Sequence, residues 1–360
     1  KQVATNWLYL PLRRFKFYET FKVFLKLKNQ NYNYQNHIII SSFFNIKVFF
    51  RVLKDAFFII KRFSKVKKGL SNSSDYLWPL LKNDVSRSLL SSEMVSSLFY
   101  LSLFESIKND CNPGCKIVYL FENQPWELGL ISSLKSKKRK LIGFAHSTIR
   151  YWDLRYFNDK KCYEGDGIYS KPSPDYYAVN GINDKSMMIK FGYLSEHIFE
   201  VESLRYLYLN DVTSTFQKIK NQKKVLLVLG DYLKHHTLLT LEFLKKPNIK
   251  SLLADIDILI KPHPACPINQ DDLGNIDAKI VNHDLGNLIL NSDVVFTGNV
   301  SSSSVEAYTL GKKIISVRNL HDLDMSPLRG VNNVSFVSDA ESFFKCLYEA
   351  IHNSSNKNNK

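Results

Sequence analysis

The run DILIKPHP (257–264) stays apolar until Lys261, Pro262, His263 and Pro264. Two prolines stiffen a turn at the end of such a strand. They hold the His263 ring where its N–H can meet an anion, and Lys261 adds charge beside it. The same four residues also read as an ordinary surface turn. A second group lies in TGNVSSSSVEA (297–307). Here an apolar strand ends, small residues turn, and a helix opens on Ser301, Ser302 and Ser303. The free N–H groups of a first helical turn, the helix dipole and the serine hydroxyls together suit a phosphate. A serine N-cap with Glu306 completing a capping box is the competing reading. Glu306 is also able to hold ribose hydroxyls.

Two carboxylates end strands elsewhere. KKVLLVLGD (223–231) closes on Gly230 and Asp231, the glycine letting the turn tighten. Asp231 either caps the following helix or faces a ligand. FENQPWE (121–127) places Glu122 where a strand gives way to a helix with Pro125 in its first turn. A carboxylate there can take a proton from a hydroxyl, or it can serve as a cap. Glu127 is expected on the helix surface. His146 ends the next strand and can meet a carboxylate. Trp126, Tyr151 and Trp152 can stack on sugar rings, although aromatics near a strand end also belong to cores.

Alternating strands and helices must position these residues. Expected strands are 37–43, 116–123, 140–148, 175–181, 223–231, 257–264, 278–283, 293–299 and 312–317, and the expected helices are 46–63, 86–108, 125–136, 237–246, 285–292 and 301–311. In the helix over 46–63, Phe49, Val52, Leu53, Ala56, Phe57 and Ile60 recur at helical spacing. They predict a core-packed face opposite a basic one, with docking onto an anionic membrane as the alternative. The rhythm predicts two α/β domains. An N-terminal Rossmann-like domain spans 1–205, a polar connection 206–222, a C-terminal Rossmann-like domain 223–350, and a disordered tail 351–360. Doubly wound domains in tandem are expected to hold ligand in the cleft between them, at strand carboxyl ends.

The histidine-proline and serine elements, spaced in this way, resemble the CMP-binding signature of GT-B glycosyltransferases that use CMP-activated ulosonic acids. Those enzymes include bacterial sialyltransferases and the Kdo transferases of lipopolysaccharide and capsule assembly. The resemblance covers about residues 223–320. FENQPWE, AHSTIRYW (145–152) and VESLRY (201–206) are similar to bacterial surface-carbohydrate biosynthesis proteins. The resemblance implies that His263 contacts the CMP phosphate and that Ser301, Ser302 and Ser303 hold its oxygens. It places cytidine near Pro264 and residues 283–286. In retaining β-Kdo transferases an aspartate at the position of Asp231 looks like the nucleophile, and retention needs a covalent intermediate. Glu122 then serves as acid/base. Inverting sialyltransferases carry an adjacent acidic pair before glycine. Gly165-Asp166-Gly167 after Glu164 lacks that pair, which favours retention. The implied partners are a CMP-sugar and a glycan or lipid-linked glycan acceptor, with no cofactor and no metal. Asp255 and Asp257 fit a helix-to-strand loop, and Asp322 and Asp324 a later loop.

Composition agrees with a folded enzyme and narrows the partners. The 360 residues are 44% hydrophobic and 13% aromatic, which excludes disorder over most of the chain. A net charge of +15 favours anionic partners without choosing among them. No nucleic-acid motif is present. Five cysteines without ligand spacing argue against zinc and against a disulfide framework. A cytoplasmic setting is expected, with peripheral contact at the inner face of the membrane. Neither a signal peptide nor a transmembrane run is visible, and an opening on Lys1 is expected of a segment of a longer protein. Three other functions remain open: an inverting transferase of sialic, legionaminic or pseudaminic acid, a polyol-phosphate transferase using a CDP donor, and a non-enzymatic polyanion-binding module.

Overall fold

The computed structural model describes residues 4–10, 22–23, 25–26, 34–73, 76–164, 169–215 and 223–352. By internal contacts the chain divides into two compact units. One is Lys1–Gly143 with Lys171–Tyr176, the other Phe144–Ser170 with Tyr177–Lys360. Gly165, Asp166 and Gly167 lie outside the described residues, as do 216–222 and 353–360.

In the first unit, β1 (Thr5–Tyr9) pairs in parallel with β2 (Gln35–Ile39). The strand expected over 37–43 ends at Ile39, because Ser42 donates its hydroxyl to the Ile39 carbonyl at 2.7 Å and Ile40–Phe43 wind into a 3-10 turn. Three helices follow: α1 (Ile46–Ser73), α2 (Trp78–Leu90) and α3 (Ser92–Ile107). The helix expected over 86–108 is broken at Ser91. That residue is extended, and its hydroxyl accepts from the Glu93 N–H at 3.0 Å. Then come β3 (Lys116–Leu120), α4 (Pro125–Leu134) and β4 (Lys140–Phe144).

The face expected to bury α1 is corrected. Val48 and Val52 are buried, whereas Phe49, Leu53, Phe57 and Ile60 are exposed. The helix carries two apolar stripes, and α2 and α3 pack against one of them. Spacing alone merged the two.

The second unit contains β5 (Tyr176–Val179), α5 (Ile182–Lys190), β6 (Ile198–Glu200) and α6 (Tyr208–Thr215). Strands β5 and β6 pair in parallel. After β7 (Lys224–Leu229) come α7 (Lys234–Leu244), α8 (Pro247–Leu253), β8 (Ile256–Lys261), α9 (Gln270–Leu273) and β9 (Lys279–Ile280). The chain continues through α10 (Leu285–Asn291), β10 (Val294–Thr297), α11 (Ser303–Thr309), β11 (Lys313–Val317), β12 (Val334–Val337) and α12 (Ala340–His352). Because α12 reaches His352, Ile351 and His352 are helical rather than part of a tail.

The six-stranded sheet runs β12-β11-β10-β7-β8-β9, and every pair is parallel. Counted from β7 this is the order 3-2-1-4-5-6 of a Rossmann fold. The apolar run KVLLVL explains the place of β7 at its centre. Leu226 and Val228 pack to one side with Leu241 and Leu244 of α7 and Phe343 and Leu347 of α12. Leu227 and Leu229 pack to the other with Leu288 and Ile289 of α10 and Ala307 of α11. Each of the valine, leucine, isoleucine and phenylalanine side chains stabilises the fold by roughly 1.5–3 kcal/mol on burial. Strand order reverses between β7 and β10, which opens a crevice at their carboxyl ends.

Candidate functional site at the carboxyl ends of the six-stranded sheet

Three predicted elements meet at that crevice, and two glycines bring them together. The Gly230 N–H donates to the Lys261 carbonyl at 2.9 Å. A Cβ on Gly230 would lie 3.0 Å from the His263 nitrogen and 3.1 Å from Pro262 Cα, so only glycine admits the histidine-proline turn this close. A Cβ on Gly298 would lie 3.4 Å from Asp231 Oδ2. The turns after β7, β8 and β10 are therefore in contact.

Asp231 is 1% exposed. Its Oδ1 accepts from the Leu233 N–H at 3.3 Å, and its own N–H donates to Thr237 Oγ1 at 2.8 Å. The cap of α7 is Leu233, so Asp231 closes the turn before the helix rather than capping it. Oδ2 has no hydrogen-bond partner. The His236 imidazole lies beside it, with Nδ1 3.7 Å from Oδ2 and Nε2 3.6 Å from Asp322 Oδ2. An imidazole thus stands between two carboxylates. Sequence reasoning missed both partners. Asp322 lies 91 residues from Asp231, in the turn after β11. Only the position of His236 in the first turn of α7 hinted at its direction.

His263 is held by its own turn. Nδ1 accepts from the Ala265 N–H at 3.1 Å, which puts the ring proton on Nε2 as a free donor. Lys261, His263, Pro264 and Asn282 help line a cavity of 190 Å³ there. The serine turn forms no capping box: the Ser302 side chain makes no cap bond. Ser301 is buried, with its carbonyl accepting from Ser304 Oγ at 2.7 Å. Ser302 and Ser303 are half-buried. Glu306 turns away toward α6, where the Tyr208 hydroxyl bonds its carboxylate. Burial pushes the Glu306 carboxyl up, opposed by the Tyr208 bond and the Arg205 charge. Its Oε2 is buried with no hydrogen-bond partner. Asp284, in the stretch expected near cytidine, caps α10 through the Asn287 N–H at 3.1 Å.

His146 follows β4 on a loop pinned at several points. The Ala145 N–H donates to the Ala178 carbonyl at 2.9 Å, Thr148 and Tyr206 hydroxyls meet at 3.1 Å, and the Ile149 N–H donates to Asp184 Oδ1 at 3.2 Å. Burial pushes the Asp184 carboxyl up to about 7. The Trp152 N–H donates to the Asp324 carbonyl at 3.1 Å, and its ring stacks on Phe157 at 5.4 Å. Tyr151 meets Trp152 edge-on at 5.9 Å.

Glu122 belongs to the other unit, half-buried at the end of β3. The capping there is done by Glu127, and the surface position expected for Glu127 is corrected. It is 1% exposed and accepts from the N–H groups of Glu122, Asn123 and Gln124 at 2.9, 3.1 and 2.9 Å. Closing that turn requires the carboxylate to fold inward. Burial pushes it up to about 7 against those three bonds. Trp126 packs edge-on against Tyr119 at 6.2 Å. Among the described residues, no group of three His, Cys, Asp or Glu side chains is placed to hold a metal ion.

No protein-family model matches the sequence, and no curated protein does. Several solved structures align with the chain at low identity. A UDP-GlcNAc 2-epimerase from Neisseria meningitidis bound to UDP-GlcNAc aligns over 96% of this chain and 91% of its own, at 11% identity and a TM-score of 0.47. The UDP-GlcNAc 2-epimerase from Methanocaldococcus jannaschii covers 73% and 77% at 15% identity and a TM-score of 0.45. The glycosyltransferase SnogD from Streptomyces nogalater covers 74% and 73% at 10% identity and a TM-score of 0.45. Likeness at this level carries no activity to the chain.

Proposed function

We propose that the protein is a GT-B glycosyltransferase that takes Kdo or a related ulosonic acid from its CMP donor to a bacterial surface glycan. The observation that carries this reading is the meeting of Gly230-Asp231, Lys261–Pro264 and Gly298–Ser303 at the switch point of a 3-2-1-4-5-6 parallel sheet. Such a crevice suits a nucleotide. The Nε2–H of His263 and the Lys261 ammonium donate to the departing phosphate, together with the hydroxyls of Ser301, Ser302 and Ser303. Preorganised donors aimed at a developing charge stabilise the transition state without a metal.

In the retaining version Asp231 Oδ2 attacks the anomeric carbon. The bond from that carbon to the phosphate oxygen breaks, and CMP leaves with the electron pair. A base then takes the proton of an acceptor hydroxyl, whose oxygen displaces Asp231. His236, with Nδ1 3.7 Å from Asp231 Oδ2, orients Asp231 between the steps. A second reading is favoured by one observation. Asp231 is 1% exposed with the Gly298 turn against its Oδ2, so attack requires that turn to move aside. If it stays enclosed, Asp231 orients His236 and the reaction inverts.

Incubation with CMP-Kdo followed by intact-protein mass spectrometry and NMR of the product separates the two. A covalent adduct that Asp231→Asn abolishes, with retained anomeric configuration, supports nucleophilic Asp231. An inverted product without adduct supports the second reading. Absence of turnover with every CMP-sugar, but turnover with a CDP-polyol, overturns both.

A further inference from the structure

The exposed stripe of α1 takes no part in the function proposed above, and its chemistry is specific. Ile46, Phe49, Phe50, Leu53, Phe57 and Ile60 fall at i, i+3, i+4, i+7, i+11 and i+14, on one side of the helix. All six are exposed, Phe57 to 67% and Phe50 to 62%. They form a strip roughly 22 Å long at 1.5 Å per residue. The inward stripe of Val48 and Val52 is on another side and already packs against α2 and α3. Large apolar groups so arranged on a charged protein mark an interaction surface.

The charge beside the strip identifies the partner. Lys47, Lys54, Lys61, Arg62 and Lys65 are exposed along the adjoining side of α1. Arg51 on the same side pairs with Glu105, and the Arg62 guanidinium lies 3.8 Å from the centre of the Phe58 ring. The helix has a single acidic residue, Asp55, which is half-buried. An apolar strip bordered by cations fits a surface that is apolar beneath and anionic above. A protein partner would need an acidic rim of matching length, whereas an anionic bilayer presents one everywhere. Among the described residues no helix is long and apolar enough to cross a membrane, so α1 would lie along the surface rather than through it.

We propose that α1 docks the protein in the plane of an anionic lipid bilayer, with Phe49, Phe50, Leu53 and Phe57 inserted below the headgroups and the lysines bound to them. This proposal does not depend on the donor proposed above. The test is co-sedimentation of the whole chain with vesicles of phosphatidylglycerol and phosphatidylcholine against vesicles of phosphatidylcholine alone. Wild-type protein is expected to bind the mixed vesicles at least tenfold more tightly, with binding that weakens as salt is raised. The triple substitution F49S/F50S/F57S, at exposed positions, is expected to lose that binding while keeping its melting temperature. A second variant, K47E/K54E/K61E, is expected to lose it as well. Three results overturn the proposal: equal binding to both vesicles, full vesicle binding by both variants, or a wild-type dimer that binds no vesicle and that F49S/F50S/F57S converts to monomer. The last would assign the strip to a second copy of the chain.

Discussion

The carboxyl edge of the six-stranded sheet and the outer side of α1 break the usual partition of residues in opposite directions. At the sheet edge polar groups are buried: Asp231, Thr237, Asn299, Ser301 and Glu306 are all enclosed. Along α1, aromatic and aliphatic groups are exposed. Neither arrangement helps the chain fold. A buried carboxylate oxygen without a partner costs stability, and an exposed phenylalanine forfeits what burial supplies. Regions that forgo stability in this way are where a ligand or a surface is to be met. The difference between them is precision. The crevice fixes each group through backbone contacts a few ångströms long, whereas α1 offers a strip with no fixed register, suited to a fluid partner.

Substitutions sharpen that contrast, beginning with the largest effect. Asp231→Asn is expected to lower transfer by at least roughly a thousandfold, measured as steady-state turnover, while the melting temperature holds. A loss under tenfold would place the chemistry elsewhere. Next is Asp184, another enclosed carboxylate, which anchors the His146 loop. Its folded pKa, about 7, lies above the unfolded value, so the native state binds the proton more tightly. The stability this proton confers is complete below about pH 4 and is lost as pH rises to about 7. Asp184→Asn removes the charge and keeps an acceptor for the Ile149 N–H. The variant is expected to gain on wild type across that window, on the order of 2–4 kcal/mol, read by denaturant titration at several pH values. A constant difference across pH would contradict it.

Gly230→Ala tests the fit of the crevice. The new methyl meets backbone of Pro262 and His263 at 3.1 and 3.0 Å. A cost of roughly 1–3 kcal/mol is expected from such overpacking, together with weaker nucleotide binding. The smallest effect belongs to α1. Phe57→Ser should change folding stability by less than about 0.5 kcal/mol in solution, since nothing described covers that ring. A larger loss would show that the strip is part of the core.

The sequence made the sheet edge legible for a physical reason. Parallel strands buried on both sides read as unbroken apolar runs, so KVLLVL and DILIK announced β7 and β8 and their polar ends. His263 and Ser301–Ser303 fell at those ends, where the structure places them. What stayed hidden depends on segments distant in the chain. Nothing local pairs His236 with Asp322, or Glu306 with Tyr208. Glu127 was hidden differently: a glutamate at the third position of a helix reads as solvated until the preceding turn folds over it. In α1 both stripes satisfy helical periodicity, and only the packing of α2 and α3 decides which is inside.

The proposed cytidine-nucleotide site is bounded by His263 and the serine turn. Isothermal titration of CMP, with UMP and GMP as comparisons, measures it directly. CMP is expected to bind more tightly than either, and His263→Ala to weaken CMP by at least about tenfold without changing the melting temperature. Undetectable CMP binding, or equal affinity in wild type and His263→Ala, would contradict it.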